Sequence, residues 1–256
     1  MKKLFVWVLI VCHTYPGIAK GSVAHLKDTT EGIKQFMQKA QQAYRNTPYL
    51  SFHLLYRYAN KNQPGKYIDS VAGDIAIDKN RMKMAMDGVE TITNEKYTIQ
   101  VIKEEKLIYL SVPKTSAMAD PVAILDSAMN YLHGVRANLV HNKGLATLTF
   151  SFPEQPGQTY KSIAMTIDES TGYFQKVVYE LYTAGLVSQD QVAQPGKPGL
   201  YQQEGRIEVL FSRYKKGEFN DSLFSEDKYF TRRGKGDYEP SAQYKDYQIF
   251  LASTNL

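Results

Sequence analysis

Side chains able to do chemistry are few and widely spaced. The five histidines are His13, His25, His53, His133 and His141, and no two stand four apart as a pair of ligands on one helix face would. His133 falls at the end of a predicted helix, where the dipole favours a histidine. Cys12 is the only cysteine, so a mature chain that loses its leader has neither a thiol nucleophile nor a disulfide. There is no Gly-x-Ser-x-Gly elbow, no phosphate-binding P-loop and no Gly-x-Gly-x-x-Gly between a strand and a helix. The adjacent carboxylates Glu104-Glu105 and Asp168-Glu169 lie in predicted turns, and turn chemistry accounts for them better than an acid–base pair. The dibasic pairs Lys215-Lys216 and Arg232-Arg233 read as solvated faces that could meet a lipid headgroup or an acidic partner. No catalytic residue, no metal site and no cofactor are expected, and the chain is read as not an enzyme.

The remaining chemistry is apolar and aromatic. Tyrosine occurs 19 times against one tryptophan, which suits half-buried strand positions. Met82, Met84 and Met86 recur at period two, so they share one side of a strand. Methionine is flexible and polarizable, and such a stripe is either an ordinary core strand or the lining of a cavity for flexible chains. The net charge of +5 falls to about +3 without Lys2 and Lys3, and no run of five or six like charges marks a nucleic-acid arm.

The first nineteen residues have the three parts of a secretion signal. Lys2 and Lys3 are the positive end, Leu4 to Cys12 the apolar core, and Gly17-Ile18-Ala19 the small-residue cleavage site. Nine apolar residues are too short to span a bilayer, which needs about 20. Leu9-Ile10-Val11 before Cys12 argue against a lipidated cysteine, because that processing wants a small residue there. Residues 20–256 are expected to form a single exported, periplasmic domain, soluble or peripheral.

The elements follow from periodicity. Residues 29–46 are predicted as an amphipathic helix through Ile33, Phe36, Met37, Ala40 and Tyr44, stopped by Thr47-Pro48. Strands are predicted at 51–59, 67–78, 80–86, 89–93, 97–103 and 106–112, with Asp87-Gly88 as a hairpin turn. A second helix is predicted at 121–132, opened by Asp120 and Pro121. Further strands follow at 135–141, 145–152, 160–167, 173–183, 205–214 and 244–252, with a helical turn near 222–228 and a loop at 233–241. The fold class is mainly β with α: a curved antiparallel sheet of about ten strands forming an unclosed barrel covered by helices.

The order of these elements resembles the outer-membrane lipoprotein carrier superfamily, the LolA/LolB-like proteins. The resemblance is carried by Gly73-Asp74-Ile75-Ala76-Ile77-Asp78 leading to Arg81-Met82-Lys83-Met84, then Glu90-Thr91-Ile92-Thr93-Asn94 and Leu107-Ile108-Tyr109-Leu110. Later, Ile163-Ala164-Met165-Thr166-Ile167-Asp168 with Thr171-Gly172 and Lys176-Val177 resembles the family's strand, turn and strand. The chain departs from the pattern at Asn94-Glu95-Lys96-Tyr97, where carriers have an aspartate-glycine and a tryptophan. The resemblance spans residues 30–183. It implies an apolar concave face that shelters acyl chains, and a lipid or acylated protein as partner, with transient contact to membrane or envelope proteins.

The residues expected to line such a cavity are Phe36, Leu54, Tyr56, Met82, Met84, Met86, Leu125 and Met129. A one-residue slip in register would reverse the strand face. The function expected is therefore a periplasmic binder or carrier of a lipid or lipoprotein acyl chain. The alternative is a non-enzymatic envelope sensor or protein-interaction module on the same fold.

Overall fold

Helix α1, Lys27–Arg45, opens the chain described by the computed structural model, which covers residues 27–113, 135–155, 158–187, 191–193, 199–253 and 256. Ile33, Phe36, Met37, Ala40 and Tyr44 form its buried stripe at spacings of three and four. It ends at Arg45, two residues before Thr47, because the position before Pro48 is pushed out of the helical region.

Fourteen strands follow among the described residues. They are β1 Tyr49–Asn60, β2 Tyr67–Asp78, β3 Arg81–Met86, β4 Val89–Thr93, β5 Thr98–Ile102, β6 Leu107–Ser111 and β7 Arg136–Asn142. The chain continues with β8 Leu145–Ser151, β9 Tyr160–Asp168, β10 Phe174–Tyr182, β11 Glu204–Lys216, β12 Phe230–Gly234, β13 Asp237–Pro240 and β14 Gln248–Leu251. Twelve make one sheet in the order β14-β6-β5-β4-β3-β2-β1-β11-β10-β9-β8-β7, whose end strands are not neighbours. The order is thus open, as an unclosed sheet requires.

Three expectations change. The loop expected at 233–241 is mostly the small hairpin β12–β13, paired Phe230↔Pro240 through Gly234↔Asp237. The closing strand is shorter than expected and runs parallel to β6, with Gln248 opposite Leu107. Helical cover is one α-helix among the described residues, since the helix expected at 121–132 lies outside them.

The chain divides into two compact units, and β1, β2 and β11 contribute to both. The first holds residues 27–43, 55–71 and 135–211. Its register sorts side chains cleanly. Leu139, Leu148, Met165, Val177 and Val209 stand opposite one another in successive strands and make an apolar ladder. A Cβ at Gly32 would lie 3.3 Å from Leu139 Cδ2, so α1 packs on this face.

The other face of the first unit is polar. There the buried Glu208 carboxylate accepts from Arg57 Nη2 at 3.0 Å, Arg206 Nη2 at 2.9 Å and the Tyr67 hydroxyl at 2.7 Å. Burial would raise its pKa, but these donors outweigh burial and hold it below the usual carboxylate range. Tyr58 is fully buried in this unit, hydrogen-bonded to Thr183 Oγ1 at 2.9 Å. Its ring occupies the space over Gly205, where a Cβ would stand 2.6 Å from Tyr58 Cε2.

The second unit holds 44–54, 72–113 and 212–256. One face of β4, β5 and β6 carries Ile92, Ile99, Val101, Ile108 and Leu110, all fully buried. The C-terminal segment covers them with Phe224, Tyr229, Phe230 and Tyr244. Two of its 3-10 turns start on Asn220 and Ser225, whose side chains accept from Ser222 N and Asp227 N. Three polar ties hold this cover down. Arg81 Nη2 reaches Asp221 Oδ1 at 2.8 Å while also pairing with Asp78. Asn94 Nδ2 donates to Phe224 O at 3.1 Å and Glu226 Oε2 at 2.9 Å.

The third tie is Glu90, whose side chain is 7% exposed. Lys83 Nζ lies at 2.9 Å, Lys228 Nζ at 3.2 Å, and the Tyr229 hydroxyl donates to the same carboxylate. Burial alone would raise the Glu90 pKa from its ordinary 4.5, but the Tyr229 hydrogen bond and Lys83 overcome it and bring it to about 2. Burial and the Glu90 carboxylate together push the Tyr229 hydroxyl well above the usual phenol range.

Replacing Gly205 by alanine must displace the Tyr58 ring. We expect a loss of about 1–3 kcal/mol in urea unfolding, the usual cost of overpacking. Glu90 gives a pH signature with a definite sign. Its folded pKa is depressed, so its contribution is full above about pH 4.5 and is lost as pH falls to about 2. Unfolding followed by circular dichroism should show stability declining across that window, by roughly 3 kcal/mol from this group. The Glu90→Gln variant should be less stable at pH 7 and lack this part of the pH dependence.

Candidate functional site

The face of the second unit opposite the aromatic cover is the candidate site. Its composition follows from register. Met84 stands opposite Ile75 on β2 and Thr91 on β4. Thr91 stands opposite Gln100, Gln100 opposite Tyr109, and Tyr109 opposite Phe250. The Tyr109 and Phe250 rings stack with centroids 5.5 Å apart, as side chains on one face do. Met82 heads a second row with Thr93, Thr98 and Ser111. Thr93 Oγ1 and Thr98 Oγ1 lie 3.3 Å apart. Met86 heads a third with Val89, Ile102 and Leu107.

One hydrogen bond extends the face to β1. His53 Nδ1 meets Asp74 Oδ1 at 2.9 Å across neighbouring strands. Directly bonded side chains of adjacent strands share a face, and Asp74 is on the side away from Ile75. Phe52 and Leu54 therefore lie on the side of Ile75 and Met84. Phe52 is closed over by Tyr44, edge-on at 6.3 Å, and by Tyr214 at 5.2 Å, whose hydroxyl meets that of Tyr44 at 2.8 Å.

Burial changes across this face. Leu54, Met82, Met84 and Met86 are buried, between 4% and 8% exposed. Thr91, Gln100 and Tyr109 are half-buried, and Phe250 is 44% exposed. Over the paired stretches of β2 to β6 and β14 no charged side chain stands on this side. Asp74, Asp78, Lys83 and Glu90 all alternate to the other. The face is thus apolar and buried at its methionine end and carries neutral hydrogen-bonding groups beyond it.

The structure thus groups four of the expected residues, Leu54, Met82, Met84 and Met86. Phe36 belongs to the buried stripe of α1 in the first unit, and the half-buried Tyr56 is also assigned to that unit. Leu125 and Met129 lie outside the described residues. Thr91, Gln100, Tyr109 and Phe250 were not expected in the site. Each sits at the right parity in its own strand, but only the pairing between strands puts them in line with Met84.

Other candidate groups among the described residues are His141, Asp168-Glu169 and Glu104-Glu105. His141 Nδ1 meets Glu169 Oε1 at 2.7 Å on an exposed surface. Asp168 accepts from the Ser170 hydroxyl and from Thr171 N at 2.9 Å, and these bonds hold its pKa below the usual carboxylate range. Glu104 and Glu105 are exposed in the turn between β5 and β6. No group of three or more His, Cys, Asp or Glu stands together as a metal site among the described residues. No helix among them is long and apolar enough to cross a membrane.

No protein-family model matches the chain, and no curated protein matches it. Solved structures similar to it include an uncharacterized conserved protein from Thermus thermophilus. That match has 7% identity, covers 86% of this chain and 99% of the other, and has a TM-score of 0.46. A LolA superfamily protein from Nitrosomonas europaea is similar at 10% identity, covering 76% of this chain and 97% of the other, with a TM-score of 0.34. The complex of MucA and MucB from Pseudomonas aeruginosa is similar at 11% identity, covering 76% and 61%, with a TM-score of 0.40. None of the three decides what this chain binds.

Proposed function

We propose that this chain is an exported, non-enzymatic binder or carrier of a lipid or lipoprotein acyl chain in the bacterial periplasm. The observation that carries this reading is the uncharged, methionine-bearing face of the second unit. Burial of each methylene gains about 0.8 kcal/mol, so a flexible apolar surface can hold an acyl chain away from water. Methionine suits this better than a branched residue, because its unbranched side chain adapts to a mobile ligand. The charge distribution favours the same reading. Lys83 and Glu90 neutralise each other on the opposite side, and neither charge is left facing the ligand.

Native mass spectrometry of the full chain, purified from the periplasm of an expressing bacterium, tests the proposal. A co-purified mass of an acyl lipid is expected. Met84→Asp puts a carboxylate in the middle of the face and should reduce that occupancy at least about tenfold while the circular dichroism spectrum keeps its β signature. A wild-type protein that stays free of lipid after incubation with vesicles would overturn the reading.

A further inference from the structure

We propose that the ligand of the methionine face is an acyl lipid with an uncharged, hydroxyl- or ester-bearing polar part, of the glyceride or neutral glycolipid class. This rests on the acyl-chain reading above and adds the chemistry of the headgroup. The row that begins at Met84 continues through Thr91, Gln100 and Tyr109. Neighbouring strands lie about 4.8 Å apart, so these three extend roughly 15 Å from the methionine. That distance lets a ligand lay its apolar part on β2 and β3 and its polar part on β4 to β6.

The three side chains share a property. Each both donates and accepts a hydrogen bond, and none carries a charge. They are half-buried, reachable but partly out of water. Thr98 and Ser111 flank them with two more hydroxyls in the neighbouring row. A sugar or glycerol hydroxyl needs such a mixed donor and acceptor surface. A phosphate or free carboxylate needs a cation or several aligned N–H groups, and a desolvated anion without them is strongly disfavoured. The nearby cations of β3, Arg81 and Lys83, point to the other face and are already paired with Asp78, Asp221 and Glu90. The face therefore discriminates against anionic headgroups by withholding a counter-charge.

Uptake of three lipids with matched oleoyl chains tests the inference. The delipidated full chain is offered dioleoylglycerol, monoglucosyl dioleoylglycerol or dioleoylphosphatidylglycerol from vesicles of one neutral carrier lipid, and bound lipid is counted by native mass spectrometry. At least one neutral lipid should be taken up about tenfold or more over phosphatidylglycerol. Whichever neutral lipid leads distinguishes a glyceride source from a glycolipid source, and both outcomes support the inference. Gln100→Leu should narrow the preference about threefold or more while acyl uptake continues. Tyr109→Phe keeps the ring against Phe250, removes only the hydroxyl, and should narrow it in the same direction. Equal or better uptake of phosphatidylglycerol overturns the inference but leaves the acyl reading standing. A preference untouched by both variants overturns it as well. Failure to take up any of the three overturns the acyl reading itself.

Discussion

A carboxylate taken out of water on one face of a sheet must find its counter-charges on that same face, because side chains alternate. Glu90 is such a group. Lys83 from the adjacent strand, and Lys228 and Tyr229 from the C-terminal segment, all converge on it. The segment that supplies Lys228 and Tyr229 is also the one that buries Ile92, Ile99 and Leu110. Charge neutralisation and hydrophobic burial therefore choose the same side. With parity fixed, Met82, Met84, Met86, Thr91 and Gln100 are committed to the other side. The neutral face is the complement of the anchored one.

The two units resolve the same sheet constraint in opposite ways. In the first, α1 takes up the apolar ladder, and the remaining face is a hydrogen-bonded polar surface around Glu208. In the second, aromatic rings of the C-terminal segment take up the apolar side. Ring packing there is dense: Tyr97, Phe230 and Tyr238 meet edge-on at 5.2 to 6.2 Å. Five of the 19 tyrosines, Tyr97, Tyr229, Tyr238, Tyr244 and Tyr247, pack in this cluster, where the rings fill space.

Local pattern revealed much of this and pairing hid the rest. The spacing of Ile33, Phe36, Met37 and Ala40 is enough to give the helix, and alternation gives β2 and β4 at their observed bounds. The hairpin β12–β13 reads as a loop because Thr231 to Glu239 is almost wholly polar. It is held by the Phe230–Tyr238 contact and by Arg233 on Glu239 at 2.6 Å, which are cross-strand contacts. The parallel placement of β14 on β6 is likewise non-local, joining residues about 140 apart in sequence. In the site, period two was sufficient to put the three methionines together. It could not align Gln100 and Tyr109 with Met84, nor assign Phe36 and Tyr56 to the other unit, because those facts belong to register and packing.

The central claim is that a ligand's acyl chain lies on the methionine side of β3 and not among the aromatics behind it. A fatty acyl probe carrying a diazirine near its methyl end, crosslinked to the full chain and mapped to single residues by fragmentation, tests this directly. Adducts on Leu54, Met82, Met84 or Met86 are the predicted result. Adducts confined to Ile92, Ile99, Tyr229 or Phe230, or none above an irradiated control without probe, would contradict it.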